Sequence, residues 1–446
     1  MIVMKFGGTS VQDAAAMREV EALARGARDR APLVVLSATA RTTDALFEAA
    51  TRAEGGDLAG ALELHGALMA RHRGIASDLL PGGLPPELEG ALGELGAELD
   101  LLLRGVALLK ELSPRSMDAI ASIGERLSTR IFAAYAGAAW VDARRIMRTD
   151  AVFGCARPLP DLEDLAGRIL APLLGPGRIV VTQGYIGATA TGLTTTLGRG
   201  GSDFSAALFG AALQAEDIQI WTDVEGVLTA DPRVVPGAQP IAELGFGEAA
   251  ELAAFGAKVL HPATIQPAVE KGIPVTVRHA RRPEGRFTTI TGAVSTGRPV
   301  TALAHRGPVC VLTVASARML NQSGFLARLF DVFARHKVSV DLISTAEVSV
   351  SLTVEADAPL EGVLEDLSAF ATVGTATGRA IVAVVGERLK HTPGITGQAF
   401  GALRDINVEM ISMGANEINL SIVVRQEDAR EAVRRLHHAL IEEGRP

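Results

Sequence analysis

Through the first two-thirds of the chain, apolar runs with strand character alternate with stretches of helical period, and glycine turns stand between them. Residues 2–6, 32–37, 140–142, 178–183, 217–222 and 273–278 read as strands. Residues 12–30, 43–52, 58–75, 87–112, 117–137 and 202–213 read as helices. Strand, glycine turn, helix, strand is the signature of an α/β domain. Its sheet is mainly parallel and is covered by helices on both faces. Ligands of such sheets bind at the carboxyl ends of the strands, so chemistry is expected where the glycines are.

At 446 residues the chain exceeds a single core, and two to four domains are expected. Residues 281–307 are rich in Pro, Gly and Arg, with little apolar period, and read as a connector. A duplicated β-α-β-β pattern follows. Ser339-Val340-Asp341-Leu342-Ile343-Ser344 pairs with Asn407-Val408-Glu409-Met410-Ile411-Ser412, and Gly324 and Phe330 pair with Gly394 and Phe400. Repeats of this size predict two small ferredoxin-like modules suited to sensing or assembly. The predicted division is a catalytic domain over 1–280, a connector over 281–307, and modules over 308–378 and 379–446 that can interleave.

A formal charge of −8, with no block of Lys or Arg, argues against nucleic acid or an anionic membrane as partner. The two cysteines, Cys155 and Cys310, form no metal-ligand spacing and fit a reducing compartment. Neither a secretory signal nor a membrane span is legible, so a cytoplasmic location is expected.

Two segments carry most of the chemical information. Leu197-Gly198-Arg199-Gly200-Gly201-Ser202-Asp203 precedes an apolar helical run. Glycines at a helix start let backbone amides approach an anion, and Arg199 adds a forked cation. Ser202 and Asp203 are the expected N-caps of the helix; a plain surface cap is the alternative. Lys5-Phe6-Gly7-Gly8-Thr9-Ser10 follows the first strand without the Walker spacing, yet brings a lysine, a glycine turn and hydroxyls together.

Four further clusters lie in the α/β part. They are the hydroxyls of residues 37–43, Gly124-Glu125-Arg126 within a helix, Trp221-Thr222-Asp223-Val224-Glu225-Gly226, and Gly256-Ala257-Lys258 before His261. Taken singly, Glu125, Asp223 and Lys258 read as solvated surface groups. Two lysines, an arginine and several glycine turns at strand ends together can neutralise a triphosphate.

These strings resemble those of the aspartokinases, most of all the monofunctional lysine-sensitive type. The matching stretches are residues 5–11, 124–127, 182–187, 194–206, 221–226 and 256–264, continued by 323–326, 339–343 and 345–349. The resemblance spans essentially the whole chain. It implies an amino-acid kinase fold of three layers, carbamate-kinase-like, followed by two ACT modules. The implied reaction transfers the γ-phosphoryl of ATP, with Mg²⁺ held by phosphates and water, to the β-carboxylate of L-aspartate.

On this resemblance Lys5, Lys258 and Asp203 form the catalytic set. The nucleotide is met by Lys5, Gly7, Gly8, Thr9, Ser37, Thr222, Asp223, Arg233 and Lys258. Arg199, helped by Thr43, clamps the α-carboxylate; Asp203 and Glu125 receive the α-ammonium; Ser202 and Tyr185 line the same pocket. No protein-held metal site is implied. Leu228 stands where relatives often carry an aromatic beside the nucleotide.

The ACT modules imply an amino-acid feedback effector, lysine before threonine, in a homodimer or dimer of dimers. Its site is assigned to Met319, Ser323, Gly324, Phe325, Leu326, Val340, Asp341, Thr345 and Glu347. The alternatives are a kinase for a related acidic amino acid and a non-catalytic sensor that keeps the fold.

Overall fold

The computed structural model describes residues 1–256, 262–292, 294, 299–320, 323–414 and 416–443. The chain forms two compact units. The first gathers Met1–Val227, Ala242–Phe246 and Val259–Ala293; the second gathers Leu228–Ile241, Gly247–Lys258 and Val294–Pro446.

Eight described strands build the main sheet of the first unit. Their order is Ala139–Trp140, Val180–Gln183, Pro32–Leu36, Ile2–Phe6, Asp217–Thr222, Val275–His279, Thr288–Thr291 and Glu243–Gly245. All neighbours are parallel except Val275–His279 with Thr288–Thr291. Strands in the middle of such a sheet are covered on both faces and so read as unbroken apolar runs. Leu33, Val34, Val35 and Leu36 are fully buried, as are Ile2, Val3 and Phe6. Lys5 is the exception, paired in register with Val35 and Ile220 near the strand's carboxyl end.

The helix Pro114–Ala136 packs beside this sheet. Ser113 caps it by accepting from the Ser116 N–H, and Gly137 ends it in the left-handed region. A Cβ on Gly124 would lie 2.8 Å from the Ala38 Cβ and 2.9 Å from the Thr42 Cγ2, so the helix and the turn after Pro32–Leu36 touch closely.

A second, three-stranded sheet joins Arg148–Thr149, Ile186–Thr189 and Thr194–Thr196. Periodicity does not announce it, because its strands are two to four residues long and rich in Thr. It delivers the chain to Gly198 and Gly200, both at positive φ (77° and 73°). With Gly200 as N-cap, the helix begins at Gly201 and runs to Ala212. Ser202 and Asp203, expected as caps, therefore sit inside the first turn, and no side chain caps this helix. The glycine turn supplies the start by itself.

In the second unit, six described strands form one antiparallel sheet. The order is Ile343–Thr345, Ser349–Glu355, Ala302–Ala315, Thr372–Val385, Asn419–Arg425 and Met410–Met413. Two strands of 14 residues run through both repeats. Their pairing shifts register between Arg306 and Val309, so Ala302–Arg306 lies against Ile381–Val385, beyond the shift from Val311–Ala315. The first stretch completes the second repeat.

The expected connector, 281–307, accordingly contains the strand Thr288–Thr291 and the start of Ala302–Ala315. Small and isolated apolar residues there hide strands that burial reveals: Ile290, Ala302 and Leu303 are buried. Each repeat has its own core. Leu312, Leu329, Phe333 and Leu352 centre one; Val382, Val384, Leu420 and Leu436 centre the other, which also takes in Ala230, Val234 and Val235.

Candidate active site

The site grows from two strand ends and two helices of the first unit. Lys5 extends its ammonium to Asp203, with Nζ 2.5 Å from Oδ1; the side chains are only 11% and 18% exposed. An ion pair so largely covered is far less screened than a surface one. Ser202, one residue earlier, accepts a hydrogen bond from the Ser37 hydroxyl at 3.0 Å. Ser37 is fixed in turn, because the Ser128 hydroxyl donates to its carbonyl at 2.7 Å. The turns after Ile2–Phe6 and Pro32–Leu36 are joined by the Ala40 N–H donating to the Gly8 carbonyl at 3.0 Å.

Glu125 is not the solvated helix-face carboxylate that its position in a helix suggested. It is 3% exposed, because Gly124 lets its helix approach the 37–43 turn closely. One oxygen accepts from the Ala38 N–H at 3.3 Å. The other has no hydrogen-bond partner among the described residues. Burial pushes the carboxyl pKa up to about 8, against the pull of the Ala38 amide. A carboxyl in this state is ready to ionise when a cation arrives.

Tyr185 adopts φ 68°, which is strained for a side chain of this size. The surroundings hold it there. Its N–H donates to Ser205 Oγ at 3.0 Å, and its carbonyl accepts from the Leu197 N–H at 2.9 Å. A Cβ on Gly184 would stand 2.7 Å from that of Ser202, and one on Gly201 would stand 2.7 Å from the Tyr185 ring. Only glycine permits this approach. Burial raises the pKa of the Tyr185 phenol.

A cleft of about 670 Å³ collects these groups. Among the expected residues, Lys5, Gly7, Gly8, Ser37, Thr43, Glu125, Tyr185, Arg199, Ser202 and Asp203 line it. Arg199 is exposed and has no ion pair among the described residues. Thr9 is exposed in the 3-10 turn Gly8–Val11 and does not line the cleft. Thr222 and Asp223 end the neighbouring strand, with the Thr222 hydroxyl donating to Asp223 Oδ1 at 3.2 Å. Arg233 belongs to the second unit, where Asp231 holds it in a bidentate pair. Lys258 and His261 lie outside the described residues.

Two groups escaped the sequence reading. Asp118 lines the cleft seven residues before Glu125, so helical period alone could have found it. His72 is buried behind the cleft wall, sharing a hydrogen bond of 3.2 Å with Thr39, which lines the cleft. Burial drives its pKa down to about 4.

The residues assigned to an effector gather in the first repeat. Gly324, at φ 87°, opens the helix Phe325–Arg335. Ser323, Leu326, Thr345 and Glu347 are exposed, and Met319 and Val340 are half-buried. Phe325 differs in kind: its ring is buried edge-on against Phe370, as part of the core. Asp341 pairs with Arg306 at 3.1 Å, and burial raises its pKa despite that partner.

Among the described residues no three His, Cys, Asp or Glu cluster as a metal site, and no helix is long and apolar enough to cross a membrane.

The sequence pattern of the amino acid kinase family matches residues 1–279, and that of the ACT domain matches residues 312–363 and 382–440. The lysine-sensitive aspartokinase 3 of Escherichia coli (strain K12) is 41% identical over 461 aligned positions, covering 99% of both chains. The chloroplastic aspartokinase 1 of Arabidopsis thaliana is 37% identical, covering 99% of this chain and 80% of that one. The solved structure of E. coli aspartokinase III with aspartate and ADP in the R-state superposes with a TM-score of 0.84 at 40% identity, over 99% of both chains. Its complex with lysine and aspartate in the T-state gives a TM-score of 0.81. The chain belongs to the amino acid kinase family and, within it, to the aspartokinases. It is an aspartate kinase with ATP as phosphoryl donor.

Proposed function

We propose that the cleft holds L-aspartate and the γ-phosphate of ATP side by side, with this chain's own residues in the following roles. One β-carboxylate oxygen attacks the γ-phosphorus, the bond to the bridging oxygen of ADP breaks, and 4-phospho-L-aspartate and ADP leave. A carboxylate is ionised near neutral pH, so no general base is needed. Catalysis is positioning and charge neutralisation.

The observation that carries this reading is the convergence of Lys5, Asp203, Ser202, Ser37, Glu125 and Arg199 on one cleft. Arg199 supplies a free fork for the α-carboxylate, with Thr43 beside it. Glu125 takes the α-ammonium, ionising as it does so, and Asp203 adds a second anion. Lys5 neutralises charge on the moving phosphoryl. The amides of Gly7 and Gly8 serve the phosphates, and Thr9, Thr222 and Asp223 add nucleotide contacts from the first unit.

Mg²⁺, when bound, would shield phosphate charge during transfer. Two of the cleft's carboxylates are already engaged, Asp203 by Lys5 and Asp118 by backbone amides, which fits a metal held mainly by phosphate oxygens and water.

The ACT repeats bind a feedback amino acid, lysine by analogy with the E. coli relative, in a homodimer or dimer of dimers. The Gly324 helix start meets its carboxylate and Asp341 its ammonium. The unpaired cysteines suit a reducing cytoplasm. A coupled ADP-release assay with aspartate and glutamate, titrated with lysine, threonine and methionine, tests the whole reading. Turnover on aspartate that lysine suppresses is expected. Preference for glutamate, or indifference to all three effectors, overturns the corresponding part.

A further inference from the structure

We propose that Asp118 is a positioning residue for substrate recognition: it ties the loop carrying Arg199 to the helix carrying Glu125, and so fixes the distance between the groups that grip the two charged ends of the amino acid. The inference rests on the reading of the cleft as the aspartate site.

Asp118 is 2% exposed and lies two turns before Glu125 on the same helix face. Three donors converge on its two oxygens. The Gly154 and Thr196 amides both reach Oδ2 at 2.9 Å, and the Thr196 hydroxyl reaches Oδ1 at 2.7 Å. Thr196 ends the strand Thr194–Thr196, and Arg199 follows three residues later. On the far side, the Ala156 N–H donates to the Thr196 carbonyl at 2.9 Å. The Gly154 carbonyl and Cys155 close over Gly198, the residue before Arg199. Asp118 thus organises three separate segments: its own helix, the 150–156 loop and the approach to the arginine turn.

A carboxylate suits this place best: one oxygen accepts from two amides and the other from the Thr196 hydroxyl. An asparagine keeps the two amides only on its oxygen, turns the hydroxyl into an acceptor and loses the charge assistance of all three bonds. Among the described residues Asp118 has no partner of positive charge, so its worth lies in geometry, and geometry at Arg199 is felt by aspartate before ATP.

The test compares the full-length wild type with Asp118→Asn, Thr196→Val, Arg199→Ala and the Asp118→Asn/Arg199→Ala double variant, by steady-state kinetics and thermal melting. Asp118→Asn is expected to raise the aspartate KM about tenfold, the loss that goes with replacing charge-assisted hydrogen bonds by neutral ones, with the ATP KM within about twofold. In the Arg199→Ala background the same change is expected to add less than about threefold, since the residue acts through Arg199. Thr196→Val removes one donor, keeps the amide, and gives a smaller shift in the same direction. It carries the test if Asp118→Asn does not fold.

Equal effects on both KM values, or full multiplication with Arg199→Ala, overturn the assignment. A wild type that turns over aspartate while Asp118→Asn and Thr196→Val leave its KM unmoved refutes the role of Asp118 alone. A wild type without aspartate turnover refutes the site reading together with it.

Discussion

Glu125→Gln separates what the cleft costs the fold from what it gives the reaction. In the native chain the Glu125 carboxyl titrates near pH 8, against an ordinary value of 4.5, because burial opposes its charge. A carboxyl whose folded pKa is raised binds a proton more tightly in the native state than in the unfolded one. Stability is therefore complete below pH 4.5 and declines as pH rises toward 8. At 1.36 kcal/mol per unit, the decline between pH 5 and pH 8 is about 3 kcal/mol. Glutamine keeps the oxygen that accepts from Ala38 and carries no charge. It also buries an NH₂ with no obvious acceptor, which costs about 1–3 kcal/mol at every pH.

The pH-independent part cancels in a difference of curves. Chemical denaturation of the ligand-free protein at a series of pH values should show the variant gaining on the wild type by about 3 kcal/mol from pH 5 to pH 8. Calorimetry in two buffers of different ionisation enthalpy should show nearly one proton released when aspartate binds the wild type at pH 7, and none with the variant. Parallel stability curves, or equal proton release, would refute the placement of a buried, protonated Glu125 opposite the α-ammonium.

Lys5→Ala should keep the fold and lower kcat by about a thousandfold, the scale of losing a preorganised charge at the reacting centre; near-normal kcat in a quenched-flow or coupled assay removes its phosphoryl role. Arg199→Ala should raise the aspartate KM far more than the ATP KM, and equal shifts contradict the clamp. Asp341→Ala should leave basal turnover unchanged while flattening lysine inhibition; an unaltered titration curve places the effector elsewhere. His72, held near pKa 4 by burial, binds its proton less tightly folded than unfolded, so stability falls as pH drops from 6.5 toward 4, by about 3 kcal/mol. His72→Gln should remove that slope in acid-denaturation curves, and an unchanged slope contradicts it.

Six of the eight described main-sheet strands and the long helices were legible because burial on two faces or one stripe imposes long periodic runs. Residues 2–6 and 217–222 have the strand bounds the sequence indicated, whereas Glu243–Gly245 and Thr288–Thr291 were not read. The short strands Ile186–Thr189 and Thr194–Thr196 were not legible, since runs of three or four residues with a single large apolar side chain carry no period. Nor was the strand Ala302–Ala315 legible in full. Its first half completes a repeat that begins some 70 residues later, and such long-range pairing leaves no local mark.

At the site, glycine turns and the residues beside them were visible, because close approach demands glycine. Glu125 and Asp118 were missed or misjudged for a common reason. Their burial is set by what packs on the helix, Gly124 against the 37–43 turn and Thr196 against Asp118, and a single helix does not reveal its neighbours. Arg306, the ion-pair partner of Asp341, lay in the stretch read as a connector.

Trapping the product tests the central claim most directly. With ATP, L-aspartate and hydroxylamine, an acyl phosphate on the β-carboxylate yields the β-hydroxamate, which ferric ion reports and chromatography identifies. β-Aspartyl hydroxamate is expected in step with ADP, lost in Lys5→Ala and far weaker with glutamate. ADP release without hydroxamate, or equal hydroxamate from glutamate, would contradict it.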